Sequence, residues 1–459
     1  MSLLAFDDTI AAISTPPGAG AIAIVRLSGK QAWTIAASLF EGTKANWTPH
    51  LAMHGYIKDI HSNQLVDEVV LIPYQGPNTY TGEDLIEINC HGSAVVTNEI
   101  LNLCLKGGAR LARNGEFTQR AFLNGRMDLT QAEAVYDLIQ AKTSRQSRLA
   151  LSALNGELGE QIKFARQDLI ELLSRIIAGI DFPEEVGELP FDDLNEILAK
   201  NCAKLKKLAA TSRSGRFLRD GLRLAIVGKP NAGKSSLLNQ LLQFDRAIVT
   251  DIAGTTRDSL EELLDINGIP VILTDTAGIR ETRDTVEKIG IERSAKAVEM
   301  ADLVLLVCDL SCPWTEDDQL ILQMIGQKPF VLLGNKVDLT AANSFAEMAG
   351  HAPNAMTTIA ISAKTGENLD AFTAWIESFV MQGEQLHESG GSLNARQGEL
   401  CEKAVESLVI AQETVFNAMP QDCLATDLKS AIDSLSEVCG ELVSEEVITN
   451  VFARFCIGK

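Results

Sequence analysis

The chain has 459 residues, with 40 Lys+Arg against 61 Asp+Glu for a formal net charge of −21, and 46% of its residues are hydrophobic. That composition excludes collagen, low-complexity disorder and a disulfide-stapled miniprotein. At about 150 residues per domain the length predicts about three domains, each able to bury a core. The acidity argues against wholesale coating of nucleic acid, while leaving room for a local basic patch.

The start of the chain carries Asp7 and Asp8 and no Lys or Arg among its apolar residues, so no secretory signal is expected. The longest apolar runs, such as residues 303–308, fall well short of the roughly 20 needed to cross a bilayer. The 9 cysteines are scattered and contain no C-x-x-C pair, which speaks against disulfides and structural zinc. A cytoplasmic location is the expectation.

In chain order, strands are predicted over residues 21–27, 66–73 and 84–89, separated by turn signals of the Thr-Pro-Pro-Gly and Gly-Pro-Asn kind. Residues 1–125 therefore read as a compact α+β domain. Helical spacing follows, with Ala134, Leu138 and Ile139 and then Leu169, Leu172, Leu173 and Ile176, before a break at Asp181-Phe182-Pro183. Residues 126–220 form a first helical segment. Strands and helices alternate over residues 221–382, with strands at 222–227, 271–274, 303–307 and 330–334, the pattern of a doubly wound α/β domain. After a polar linker at 382–392, residues 395–459 return to helical periodicity, so that 383–459 form a second helical segment. They are expected to pack back on the first helical segment, with the α/β domain inserted between the two.

Gly228-Lys229-Pro230-Asn231-Ala232-Gly233-Lys234-Ser235 stands between an apolar strand and a helical run, the context required of a phosphate loop. Its backbone amides would cradle phosphates, Lys234 would neutralise the β/γ oxygens, and the Ser235 hydroxyl would ligate Mg²⁺. Asp275-Thr276-Ala277-Gly278 ends the next strand, so that Asp275 can hold the metal through water and Gly278 can meet the γ-phosphate. Between them, Gly254-Thr255-Thr256-Arg257-Asp258 offers the Thr256 hydroxyl to Mg²⁺ when the third phosphate is present. Farther on come Asn335-Lys336-Val337-Asp338 and Ser362-Ala363-Lys364. A carboxylate at Asp338 accepts the two N–H groups of guanine, which adenine does not offer together, and the second stretch supports the base. Together these motifs predict GTP binding.

Ile279 follows the second motif, where a water-orienting Gln would otherwise stand. Catalysis then needs another group, and Arg280, Glu281, Arg283, Asp284 and Glu287 are the candidates. The oxygen of Asn231, beside the phosphates, suits a monovalent cation doing the electrostatic work of an arginine finger, so hydrolysis is expected to be stimulated by K⁺.

With these motifs flanked by helices, a β-rich front and the tail Phe455-Cys456-Ile457-Gly458-Lys459, the chain resembles the tRNA modification GTPase family called MnmE or TrmE. The likeness spans the whole length. It rests most specifically on Pro16-Pro17-Gly18, on GPNTYTGED at residues 76–84 and on GEFTQRAFLNG at residues 115–125. The resemblance implies an N-terminal α+β tetrahydrofolate-binding and dimerisation domain, a discontinuous helical domain and an inserted Ras-like P-loop GTPase domain. It implies a homodimer whose GTPase domains meet in the transition state, and a heterotetramer with the FAD-containing partner MnmG. The pair would add an aminomethyl or carboxymethylaminomethyl group to carbon 5 of the wobble uridine of certain tRNAs, with 5-formyl- or 5,10-methylenetetrahydrofolate as one-carbon donor.

Matched residue by residue, the resemblance places the folate at Arg26, Glu87, Arg126 and Lys459. A folate offers a carboxylate to Arg and a pterin edge to Glu. At position 126 the family often has Lys, and Arg keeps the charge while changing the geometry. K⁺ is placed at Asn231, Thr250, Ile252 and Thr255, whose oxygens suit a hard cation. Mg²⁺ is placed at Ser235 and Thr256, and Glu287 would orient the attacking water, with Lys234 beside it in the catalytic set. Ser236, Asp251, Ala253 and Gly254 complete the residues that would meet the nucleotide. Cys456 stays outside the catalytic set, since only Lys459 stands near it in sequence to favour a thiolate.

Two other functions compete with this one. One is an RNA-docking GTPase switch in ribosome assembly, which a basic C-terminal module would favour; instead Glu437, Glu441, Glu445 and Glu446 make that end acidic. The other is a folate-dependent aminomethyl transferase that works without a flavoprotein.

Overall fold

The computed structural model describes residues 7–42, 47–244, 262–274, 287–339, 343–381 and 392–459. They divide into two compact units, one made of residues 1–136, 154–181 and 428–459 and the other of residues 137–153 and 182–427.

The first unit is built on a seven-stranded sheet in the order β3-β4-β5-β6-β2-β1-β7. Its strands are β1 (Ile10–Ile13), β2 (Gly20–Ser28), β3 (Phe40–Gly42), β4 (Met53–Lys58), β5 (Leu65–Tyr74), β6 (Leu85–Gly92) and β7 (Arg110–Leu111). Alternation decides which side chains are buried. Val25 and Leu27 of β2 and Ile86 and Ile88 of β6 join Leu71, Ile35, Ile100 and Leu103 in one core, beneath α1 (Ala32–Leu39) and α2 (Ala94–Lys106). The residues between them, Arg26 and Glu87, therefore emerge on the opposite face, directly across from one another in the antiparallel register. On that side, β1 and α3 (Glu116–Leu123) contribute Ile10, Ala12 and Phe117 to a small cluster with Tyr80 against it.

Further helices fill this unit's interior: α4 (Leu129–Gln140), α6 (Glu157–Asp181), the greater part of the helix Asp422–Cys439, and the C-terminal Glu445–Ala453. Leu129, Ala132, Ile448, Phe452 and Phe455 form a core of their own. The helix α6 stops at Asp181, two residues before Pro183, where the helical geometry of the preceding residue is disfavoured.

The second unit carries a six-stranded sheet in the order β13-β12-β11-β8-β10-β9. Here β8 (Leu222–Val227), β10 (Ile269–Thr274), β11 (Leu303–Asp309), β12 (Phe330–Asn335) and β13 (Thr357–Ala360) run parallel, and only β9 (Glu262–Ile266) at the edge is antiparallel. Parallel strands covered on both faces read as continuous apolar runs. Successive residues of β8 accordingly serve two cores: Leu222 and Leu224 lie in one, Ala225 and Val227 in the other. The helices around it are α8 (Lys234–Phe244), α9 (Glu287–Met300), α10 (Glu316–Ile325), α11 (Asn343–Gly350) and α12 (Leu369–Met381). The 30-residue helix α7 (Phe191–Asp220) runs into β8 through Gly221 and packs along α13 (Ala395–Phe416). Thr143, just before α5 (Ser144–Leu154), donates its hydroxyl to the Gly268 carbonyl between β9 and β10 at 2.7 Å, and Arg145 of α5 pairs with Glu377 of α12 at 3.0 Å.

Candidate functional site

The phosphate loop lies between β8 and α8, so the N-terminus of α8, the positive end of its dipole, opens at the loop. Lys234, its first residue, folds back: its ammonium donates to the carbonyls of Gly228 and Lys229, each at 2.7 Å. Burial pushes its pKa below the usual lysine range. Asn231 holds a left-handed backbone with φ 61°. Gly233 has φ 98°, and a Cβ there would overlap the side chain of Asn335. Only glycine fits so close an approach.

Asn335 is the keystone of the site and is 2% exposed. Its amide donates to the Ala232 carbonyl at 2.7 Å, and its carbonyl oxygen accepts from the Ala363 amide at 2.9 Å. One side chain thus ties together the phosphate loop, the end of β12 and the 362–364 loop. Ser362 donates to one oxygen of Asp338 at 2.7 Å, which fixes the orientation of that exposed carboxylate. Lys336, with φ 69°, pairs with Asp309 at 2.5 Å. Burial alone would raise the Asp309 pKa, but the hydrogen bonds from Lys336 and Ser311 hold it below the usual carboxylate range.

Among the described residues of the expected GTP site, Asn231, Ala232, Gly233, Lys234, Asn335, Asp338, Ser362 and Ala363 gather at the carboxyl ends of the parallel strands β8, β12 and β13. Ser235 and Ser236 continue α8, and Lys364 is exposed beside Ala363. Glu287 opens α9. Thr250, Asp251, Ile252, Ala253, Gly254, Thr255, Thr256, Asp275, Thr276, Ala277 and Gly278 lie outside the described residues. A connection invisible to motif reading is Lys229, whose ammonium pairs with Asp318 at 2.6 Å and donates to Thr315 at 3.1 Å. The capping box Thr315–Asp318 at the start of α10 was the available signal.

The first unit holds a second constellation. Arg26 makes two hydrogen bonds to Glu87, at 2.7 and 3.0 Å, with both side chains largely buried. Its guanidinium lies 5.6 Å from the centroids of both Tyr80 and Phe117, a cation–π setting. The Tyr74 hydroxyl faces Glu87 at 3.4 Å, and burial followed by that negative charge raises its pKa. Arg126 donates to the Thr79 carbonyl at 3.3 Å, next to Tyr80.

The C-terminal tail docks beside this constellation, which is called the tail pocket below. Phe117 donates its amide to the Lys459 carbonyl at 3.1 Å, Gly115 donates to Cys456, and Ile457 bridges Asn114. Gly458, with φ 97°, sits so tightly against Ile13 that a Cβ would overlap its carbonyl oxygen. Lys459 is thereby set within electrostatic reach of Arg26 and Glu87, and burial, then Arg26, lowers its pKa. All four residues expected to bind folate thus share one region of one unit. Tyr74 and Tyr80 are the members that sequence reasoning left unassigned, although Tyr80 stands within a motif it had singled out.

A buried charge cluster shares α3 with Phe117 of that constellation. Arg120, fully buried, reaches Asp8 at 2.7 Å and Glu83 and Glu116 at 3.1 Å. Glu83 also accepts from Ser28 of β2 at 2.7 Å.

A family model of the MnmE helical domain matches residues 129–456, and one of the GTP-binding protein TrmE N-terminus matches residues 9–126. The chain is 44% identical to the tRNA modification GTPase MnmE of Acetivibrio thermocellus, over 99% of both chains. The chain belongs to the MnmE family. The MnmE of Streptococcus pneumoniae is 46% identical over 98% of this chain and 99% of its own. Among solved structures, Aquifex aeolicus Era bound to GDP and AlF4− is 31% identical, covering 41% of this chain and 66% of that one, with a TM-score of 0.28. The expected fold class of the MnmE family, an N-terminal α+β domain with helical and Ras-like GTPase domains, is the one found. No helix among the described residues is long and apolar enough to cross a membrane.

Proposed function

We infer that this chain is a GTP-hydrolysing enzyme that acts in tRNA modification. What carries the inference is the near-full-length identity to tRNA modification GTPases, joined to a phosphate loop whose lysine, asparagine and glycine geometry suits a bound guanine nucleotide. The ribosome-assembly alternative is not favoured, because it gives the elaborately held tail pocket no role.

The finer assignments are proposals. Residues 1–125 act as the folate-binding and dimerisation domain, 126–220 and 383–459 as one helical domain, and 221–382 as the GTPase domain. Lys234 binds the β/γ-phosphates, and its two carbonyl contacts are exchanged for phosphate oxygens when GTP enters. Asp338, oriented by Ser362, reads guanine. Ser235 and Thr256 would hold Mg²⁺, while Asn231, Thr250, Ile252 and Thr255 would hold K⁺; these cations would neutralise charge on the transferring phosphoryl group. Glu287 would orient the attacking water.

The tail pocket fits a reduced folate. Burial, and after it the charge of Arg26, holds the Lys459 pKa below the usual lysine range, so an anionic ligand beside these two cations would relieve them. Glu87 and Tyr74 offer partners to a pterin edge, and Tyr80 offers a ring. A bound folate would supply the one-carbon unit, and an FAD-containing partner the redox chemistry, for building the C5 substituent of the wobble uridine. The cycle of GTP hydrolysis gates that step through pairing of GTPase domains in a homodimer.

Quantifying wobble-uridine nucleosides by mass spectrometry in tRNA from cells lacking this protein tests the inference. Loss of C5 aminomethyl-type nucleosides, restored by a complementing copy, is the expected result, and an unchanged profile overturns it. Turnover equal in potassium and sodium buffers would remove the K⁺ assignment alone.

A further inference from the structure

In a chain of net charge −21, residues 200–219 hold four Lys and three Arg and not one Asp or Glu. All lie in the C-terminal two-thirds of α7. Arg219 is committed to Asp137 at 2.7 Å. The others lead toward a cavity of about 490 Å³ in the same unit, bounded by α7, the start of α13 and the loops before β11 and β12.

Three cations line this cavity, Arg213, Arg216 and Lys328, against one carboxylate, Asp302. Arg216 pairs with Asp302 at 2.8 Å, and Asp302 also accepts from the Arg223 amide at 3.1 Å. That carboxylate is therefore spent, and two positive charges remain uncompensated. Arg213 is exposed and makes no hydrogen bond or ion pair among the described residues. Its guanidinium is held instead at 5.9 and 5.8 Å from the ring centroids of Phe217 and Phe379. This cation–π setting leaves its N–H donors unused. Lys328 is pinned by the carbonyls of Glu299 and Ala301 at 2.7 and 2.9 Å, which leaves its third donor for a ligand.

Such a pair, pre-positioned and unneutralised, recognises phosphate oxygens. The cavity is open to solvent, and the positive charge does not stop at it. The exposed Lys206 stands two turns before Arg213, about 10 Å along the helix axis. A free anion has no use for that extension, whereas a chain of phosphodiesters does. We propose that this cavity and the basic stretch of α7 leading to it grip the phosphodiester backbone of an RNA, with Arg213 and Lys328 as the anchoring contacts. The identity of that RNA as a tRNA substrate rests on the function proposed above.

The test measures binding of fluorescein-labelled tRNA to the full chain by anisotropy at several salt concentrations between about 50 and 200 mM. The double variant Arg213→Ala/Lys328→Ala is expected to bind roughly ten-fold more weakly. The slope of log K against log salt should become shallower by about 1.4 to 1.8, the counterions of two phosphate contacts. Arg213→Lys keeps the charge and should keep most of the affinity, while GTP hydrolysis without RNA stays at the wild-type rate in every variant. Unchanged affinity and slope in the double variant overturn the proposal, as does a wild-type chain that binds no tRNA. Inorganic phosphate and a poly-glutamate peptide serve as competing probes. If either binds through Arg213 and Lys328 while tRNA binding does not depend on them, the cavity belongs to a free anion or an acidic protein and the RNA assignment falls. Nucleoside analysis in cells reports on tRNA modification separately, so a normal wobble profile beside failed RNA binding would sink this proposal and leave the function standing.

Discussion

In the phosphate loop, Lys234 satisfies the carbonyls of its own loop and Asn335 braces the same backbone from β12, two strands away in the sheet. In the tail pocket, Arg26 and Glu87 are 61 residues apart in the chain, and Lys459 arrives from the C-terminus. The first site is shaped by backbone geometry, with side chains as clamps. The second is shaped by opposing charges, supported from behind by the buried Arg120 cluster. A backbone-built site holds its form through changes of charge; a charge-built site should respond to each one.

The sharpest way to break that contrast is at Arg120. Arg120→Met removes one of two arginines from the buried carboxylates, leaving Glu83 without its partner while Glu116, 1% exposed, keeps only Arg110 at 2.6 Å. Removing one member of a buried ion cluster costs about 3–5 kcal/mol. Calorimetry should show an early transition for the first unit, while GTP hydrolysis in the second persists below that transition. A melt unchanged from wild type would mean that the cluster does not support the pocket. Next in size, Lys234→Ala should lower kcat/KM for GTP about 100- to 1,000-fold, as for other pre-positioned electrostatic donors. Phosphate release provides the assay, and a loss under about ten-fold would deny Lys234 its role.

How much of each site could be read from the letters follows the same division. The phosphate loop is contiguous, so its strand, glycines and lysine stand in order, and the doubly buried strands β8, β11 and β12 are plain apolar runs. β4 escaped because its residues, MHGYIK, alternate His, Tyr and Lys with buried positions, and β7 spans only two residues. The reach of Asn335 to both Ala232 and Ala363 depends on neighbours that only folding brings together. The tail pocket was legible through family resemblance alone, since no spacing links β2, β6 and the last residue. The acid-free run at 200–219 was visible in the letters. That Asp302 is already used while Arg213 is not could come only from the structure.

A smaller effect is expected where the tail docks. Gly458→Ala places a methyl group against the Ile13 carbonyl at φ 97°, a strain of about 1–3 kcal/mol. The tail should detach before the unit unfolds. Thermal denaturation would show a modest loss of stability, binding of a tetrahydrofolate analogue should weaken, and basal GTP hydrolysis should not change. Undiminished analogue binding would mean that the tail does not belong to the ligand site.

The finest test uses two lysines whose pKa values are both lowered. Burial lowers Lys234, whereas burial and then the charge of Arg26 lower Lys459, with Glu87 acting in the opposite sense. Because the folded state binds the Lys459 proton more weakly than the unfolded chain does, the full cost is present below the folded pKa. It is relieved as pH rises from there to the ordinary lysine value of 10.5. Arg26→Met should therefore raise the Lys459 pKa part of the way back, leaving the contribution of burial, and Glu87→Gln should lower it further. Neither change should move Lys234, which sits in the backbone-built site. Titration of ¹³C-dimethylated lysines by NMR reads both residues at once. Opposite shifts at Lys459 beside a stationary Lys234 are expected. Parallel shifts, or none at Lys459, would mean that the tail pocket is held by packing and that its charges only decorate it.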